Sequence, residues 1–249
     1  MDIIYTIWLR NMLRYVRSKS RIVGSISMPL FFLLFLGFGL NSVVRMPGME
    51  GNYILFLVPG MVAMSVLFTS VFSGIQIIWD KQFGFLKETL VAPVTRLEIM
   101  LGQTAGGATT AVLQGFLILV LSLLIGMEFT SIAGFFIALV FMVLVGISFT
   151  AFGIAIASRM EDMTGFQLIM NFVVFPIFGL SGALFPISSL PEWLVPLTLL
   201  DPLTYGVEGI RYGLTGASQI DPVACFAVIG GFSIAMTVIG AFLFRKITI

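Results

Sequence analysis

FTSIAGFFIALVFMVLVGISFTAFGIAIAS, residues 129–158, carries no charged side chain over its whole length. A helix needs roughly 20 apolar residues to cross about 30 Å of hydrocarbon, so this run is long enough to span a bilayer. Marking the charged residues outward from it leaves five more uncharged intervals, at 22–44, 51–79, 99–127, 163–191 and 222–244. The chain is therefore read as six membrane spans, at about 22–44, 53–79, 99–126, 131–158, 164–185 and 222–244. Continuous apolar runs satisfy their backbone hydrogen bonds as helices, and the alternating pattern of a membrane barrel is absent.

Composition agrees with a chain dissolved in lipid. The mean hydropathy is +1.10, and 59% of the 249 residues are hydrophobic against 10% charged. The first apolar run follows basic residues, as a signal peptide would. It is too long for such a segment and lacks a small-residue cleavage site, so it is kept as a span. A net charge of +1 draws the protein to no polyanion, and no nucleic-acid partner is expected. There is no histidine, and the single Cys225 lies in the last span, which excludes an internal disulfide and a Cys/His metal cluster. With no G-x-S-x-G motif and no acidic pair at membrane depth, a hydrolase has no parts from which to be built. A channel would need a continuous polar lining that these spans do not offer.

Lys and Arg fix an orientation with both termini in the cytoplasm. Arg10, Arg14, Arg17, Lys19, Arg21, Lys81, Lys87, Arg96, Arg159, Arg245 and Lys246 then lie inside, and only Arg45 and Arg211 outside. Residues 1–21 are expected to form an interfacial helix, since Arg10, Arg14, Arg17 and Arg21 recur along one stripe suited to phosphate headgroups. A basic flank that only sets topology is the alternative.

The stretch LKETLVAPVTRLEIMLG, residues 86–102, interrupts this apolar chain on the cytoplasmic side. Pro93 ends a short helix over about 82–92. Thr95 and Glu98 then stand at the spacing of a capping box, starting a helix that runs into the third span. Phe83, Leu86 and Leu90 share a face beside Lys87 and Glu88. That face either covers the inner ends of its own spans or docks a cytoplasmic partner, and the pattern alone fits both.

Within the spans, Gly102 and Gly106 form a G-x-x-x-G step that serves either packing inside one subunit or a dimer seam. Gln76, Gln114, Gln167 and Asn171 are the polar residues at membrane depth, none of them ionisable, which disfavours an ion-coupled carrier. On the outer side, residues 186–212 carry Pro186, Pro191, Pro196 and Pro202 with Trp193 and Tyr205, too broken for a span and too apolar for a loop, with the helical part at about 188–212. They read as two short reentrant helices, with Glu208 and Arg211 able to pair on one face. Asp221 and Pro222 start the final span as N-cap and first helical residue.

The run FGFLKETLVAPVTRLEIMLGQ resembles the cytoplasmic connection of ATP-binding-cassette type-2 exporter permeases, daunorubicin-resistance-like exporters among them. NFVVFPIFGLSGALFPISSLPEWLVPLTLLDPLTYGVEGIRYGL, residues 171–214, is similar to that family's fifth span and outer reentrant segment. The resemblance covers essentially the whole chain. It departs at Phe85 or Lys87, where the family often has glutamate, and at Asp201, where it often has asparagine.

The resemblance implies an all-α integral membrane protein with six transmembrane helices, an N-terminal interfacial helix, a cytoplasmic coupling helix and extracellular reentrant helices between spans five and six. It implies a permease for an amphiphilic or hydrophobic cargo, drug or lipid-like, in the cell membrane of a prokaryote. The chain would act as a homodimer or beside a similar permease, with two copies of a cytoplasmic ATPase. No nucleotide cradle occurs in the sequence, so ATP and Mg belong to that partner, and no cofactor or catalytic residue is expected in this chain. Phe83, Leu86, Lys87, Glu88 and Leu90 would contact the ATPase, and Pro93, Thr95, Arg96 and Glu98 would form the junction to the third span. Met64, Phe68, Phe72, Asn171, Phe175 and Phe178 would line the path, with Pro186, Trp193, Glu208 and Arg211 at the outer gate. The alternative is a membrane platform that recruits a cytoplasmic partner without transporting.

Overall fold

The computed structural model describes residues 3–40, 53–85, 89, 94–127 and 130–247, without the side chains of residues 21 and 40. The described residues are all-helical, with no strand. In chain order the helices are α1 (Ile3–Arg17), α2 (Lys19–Leu40), α3 (Tyr53–Ser73), α4 (Ile75–Gln82), α5 (Arg96–Leu124), α6 (Ile132–Ala157), α7 (Met163–Leu180), α8 (Val195–Leu200), α9 (Pro202–Thr215) and α10 (Pro222–Arg245), with a short 3-10 turn at Ile187–Ser189. Among the described residues, six segments are long and apolar enough to cross a membrane: α2, α3 with α4, α5, α6, α7 and α10.

Side chains cap the helix starts. Thr95 and Glu98 close a reciprocal capping box at the head of α5, which begins at Arg96, within the capped turn. Asp201 before Pro202 and Asp221 before Pro222 cap α9 and α10 in the same way. Ser131 and Asp162 do so for α6 and α7. Helix α7 stops at Leu180, short of residue 185, because Gly182 turns the chain at φ 69°, in the left-handed region that favours glycine.

α3 is the central helix and is buried along most of its length. In lipid, such contact depends on close backbone approach rather than on expelling water. Gly153 of α6 lies against the Val71 carbonyl, and Gly74 lies against Gly153, so a Cβ at either position would strike main chain. At the far end of α6, Gly134 and Gly213 of α9 meet in the same manner.

α1 does not lie apart from the bundle. Gly102 and Gly106 face Ile7 and Asn11, and Trp8 Nε1 donates to Thr109 Oγ1 at 3.1 Å. The G-x-x-x-G step therefore seats α1 on α5 within one subunit. The arginine stripe is split accordingly: Arg14 and Arg17 are exposed, whereas Arg10 turns inward to Asp80. α1 thus carries an exposed side and a bundle-facing side.

Candidate translocation path and coupling face

Asp80, near the end of α4, gathers one end of the bundle. Its carboxylate accepts from Arg10 Nη2 at 2.7 Å, from Gln76 Nε2 at 2.7 Å and from Gln103 Nε2 at 3.2 Å. Asn11 Nδ2 donates to Gln103 Oε1 at 2.9 Å, and Tyr15 Oη donates to Gln114 Oε1 at 2.6 Å. Three helices, α1, α4 and α5, are joined by charge-assisted hydrogen bonds of the stronger kind. Gln76 and Gln114 are thereby partnered, while Gln167 and Asn171 stand on the exposed face of α7.

The chain leaves α4 through Gly84, at φ 80°, and through Phe83 and Phe85, both exposed. Leu86, Lys87, Glu88, Leu90 and Pro93 lie outside the described residues. On either side of them the backbone is tied down. Lys81 Nζ donates to the Met160 carbonyl at 3.3 Å and Gln82 Nε2 to the Glu161 carbonyl at 2.7 Å, fixing α4 to the turn between α6 and α7. Beyond them, Arg96 donates to the Arg245 carbonyl and, at 3.1 Å, to the Ile247 carbonyl, placing a cation at the C-terminal end of α10. The family resemblance assigns Arg96 to the junction; its partners at Arg245 and Ile247 carry no sequence signal.

At mid-depth, Phe68 is the centre of an aromatic cluster between α3 and α7. Its ring lies 5.2 Å from Phe175, 6.3 Å from Phe178 and 6.3 Å from Phe72, edge-on to the two α7 rings and stacked on Phe72. Phe178 and Met64 are buried, and Phe175 and Asn171 are exposed along α7. The six residues assigned to the path thus divide between a packed ring cluster and an open helix face. The same α3 residues Met64, Phe68 and Phe72, with Ser65 and Thr69, also border a cavity of about 270 Å³ opposite Tyr15 and α2.

At the opposite end of the bundle, Arg211 and Glu208 pair, both essentially inaccessible to solvent. Arg211 Nη2 also donates to the Gly182 carbonyl at 2.9 Å, and its guanidinium lies 4.0 Å above the Phe56 ring. Glu208 also accepts from Gln219 N. The i, i+3 pair stands as its spacing suggests, but it is buried among α3, the end of α7 and the turn before α10. The spacing shows the pair but not its burial, because prolines break up the segment and hide a packed helix from a reading of long apolar runs. Pro186 caps the 3-10 turn and Trp193 is exposed, so neither joins this pair. Asp201 is buried with Oδ1 accepting from Leu203 N at 2.9 Å and Oδ2 unpartnered among the described residues. Burial pushes its carboxyl up to about 7 against that hydrogen bond.

A helical body with six segments fit to cross a bilayer and a polar clamp at one end is a polytopic membrane domain. The profile of the ABC-2 type transporter family matches residues 3–215, and the chain belongs to that family. It is 27% identical to the inner membrane transport permease YadH of Escherichia coli (strain K12), over 94% of this chain and 91% of YadH. It is 30% identical to nodulation protein J of Rhizobium meliloti (strain 1021), over 91% of this chain and 88% of that protein. The protein is a multi-pass permease subunit of an ABC-2 type transporter, a family whose transmembrane subunits partner an ABC ATPase.

Proposed function

We propose that this permease exports an amphiphilic or hydrophobic cargo, driven by two copies of a separate cytoplasmic ATPase that seat on the elbow between α4 and α5. A homodimer supplies two such elbows. Both termini face the cytoplasm of a prokaryotic cell, as the Lys and Arg distribution requires. Burial of Arg211 strengthens that orientation, because it removes one of the two outer cations from the loops.

The observation that carries this reading is the mechanical continuity around the elbow. Thr95 and Glu98 lock the head of α5, Arg96 holds the end of α10, and Lys81 and Gln82 hold the turn between α6 and α7. A push on the elbow therefore reaches four helices at once. The dimer alternates between two packings if nucleotide closure biases that push, which is a two-state mechanism. Met64, Phe68, Phe72, Asn171, Phe175 and Phe178 form the path, where ring faces and one amide suit a cargo with more carbon than charge. The α8 and α9 segment, with Pro186, Trp193, Glu208 and Arg211, caps the exit.

Mechanical coupling is tested at Leu86 and Leu90. Replacing both with Asp leaves membrane insertion intact, since neither lies in a span, and abolishes co-purification of the ATPase or its stimulation by amphiphiles in reconstituted vesicles. Unchanged co-purification and turnover would remove the docking assignment and favour a platform that binds its partner elsewhere.

A further inference from the structure

We propose that the cavity between α1, α2 and α3 is a binding site for an anionic phospholipid of the cytoplasmic leaflet, one acyl chain inside it and the phosphate on Arg14 and Arg17. The site shares Met64, Phe68 and Phe72 with the proposed path but lies on the α1 and α2 side of them, where Phe68 and Phe72 have rings against α7 on one side and cavity wall on the other.

Volume and lining set the class of the tail. The walls are chiefly Met28, Pro29, Met64, Phe68 and Phe72, and the space measures about 270 Å³. An apolar protein cavity of about 150 Å³ accepts benzene, so this one has room for several methylenes of a chain. Hydroxyls interrupt the wall at Ser25, Thr69 and Ser65. Ser65 is buried and its Oγ has no hydrogen-bond partner among the described residues.

Charge sets the class of the head. Tyr15 lines the cavity and also a polar cleft with Arg14, Asn11 and Gln76, so the apolar space and the first arginine share a wall. Arg14, Arg17 and Lys19 are exposed and make no ion pair or hydrogen bond among the described residues, whereas Arg10 of the same helix is already paired. Unpaired cations at the leaflet surface next to an apolar slot complement a phosphate followed by an acyl chain. The fit needs only the orientation given above, not transport.

The test uses the full chain purified in mild detergent, with phosphatidylglycerol and phosphatidylcholine of identical chains offered in excess, and retained lipid counted by native mass spectrometry. The wild type is expected to keep phosphatidylglycerol in preference to phosphatidylcholine. Gly24 lines the cavity, and a Cβ there would meet nothing within 4 Å, so Gly24→Leu fills the slot without a backbone clash. Gly24→Leu and the double variant Arg14→Gln with Arg17→Gln should each cut retention about tenfold or more. Gly230→Leu, equally free of clashes but on α10, should leave it unchanged. Equal retention of the zwitterionic lipid, no retention by the wild type, or undiminished retention in Gly24→Leu would overturn the site. Retained lipid in a protein that moves no cargo would remove the transport reading and leave this site standing.

Discussion

The two ends of the bundle each hold a carboxylate and an arginine, yet they are built to different ends. Arg10 and Asp80 meet with the arginine side chain 32% exposed and the carboxylate 6% exposed, and amides from two further residues share the load. Arg211 and Glu208 meet at 1% and 0% exposure, with the guanidinium over Phe56. Water reaches one of these pairs and is excluded from the other. A hydrated clamp rearranges at modest cost, because solvent replaces any bond that opens. A dry pair does not, since separating it strands charges in a low dielectric. The difference teaches that the α9 end is a fixed cap and the α1 end the adjustable one, which is the end the elbow adjoins.

The largest expected effect comes from breaking the dry pair. Glu208→Gln leaves Arg211 uncompensated and should cost about 3–5 kcal/mol of stability, measured as a lowered unfolding midpoint in detergent. Adding Arg211→Met to that variant should restore most of the loss, since an apolar replacement of a whole buried pair is often near neutral. A double variant no better than the single would mean that the pair is not the unit of the cap.

A smaller loss is expected at the hydrated clamp. Asp80→Ala removes three hydrogen bonds but leaves Arg10 within reach of water, so about 1–3 kcal/mol should be lost. Asp80→Asn, which keeps an acceptor, should lose less. The contrast sharpens in function: Asp80→Ala should reduce ATPase stimulation more than its stability loss explains. Equal damage from Asp80→Ala and Glu208→Gln in both assays would erase the distinction between the ends.

A further effect depends on pH. Burial raises the Asp201 carboxyl to about 7, so the folded state holds a proton that the unfolded chain releases near its ordinary value of 3.8. Stability from this group is therefore fully present below about pH 4 and falls as pH rises through about 7. Asp201→Asn keeps an N-cap acceptor for Leu203 N and cannot ionise. It should leave stability unchanged at pH 4 and raise it at pH 8, read from unfolding midpoints at the two values. An unchanged pH dependence in the variant would show that Asp201 is not the group responsible.

Much of this architecture is legible in the sequence because lipid imposes it. Six uncharged runs report six crossings, since no other backbone satisfies itself at that length in hydrocarbon. Thr95 with Glu98, and Asp221 with Pro222, report helix starts because capping is local. What could not be read is what depends on contact across the fold. Nothing in the spacing of the arginine stripe says that Arg10 alone turns inward, because its partner Asp80 lies 70 residues away. Gly102 and Gly106 fit a dimer seam as well as the seat for α1, and only the position of Ile7 and Asn11 decides between them. Glu208 and Arg211 were legible as a pair but not as a buried one, because the prolines that break residues 188–212 hide a packed helix from any test based on run length.

Spin labels test the fixed-cap and moving-clamp account most directly. One pair would report α1 against the elbow, at Val16 and Phe83, and another would sit within the cap, at Phe185 and Leu200, all four positions being exposed. Distances would be measured in the reconstituted complex with and without ATP held by a hydrolysis-deficient ATPase. The account expects the first distance to change with nucleotide and the second to stay constant. A constant first distance with a shifting second would contradict it.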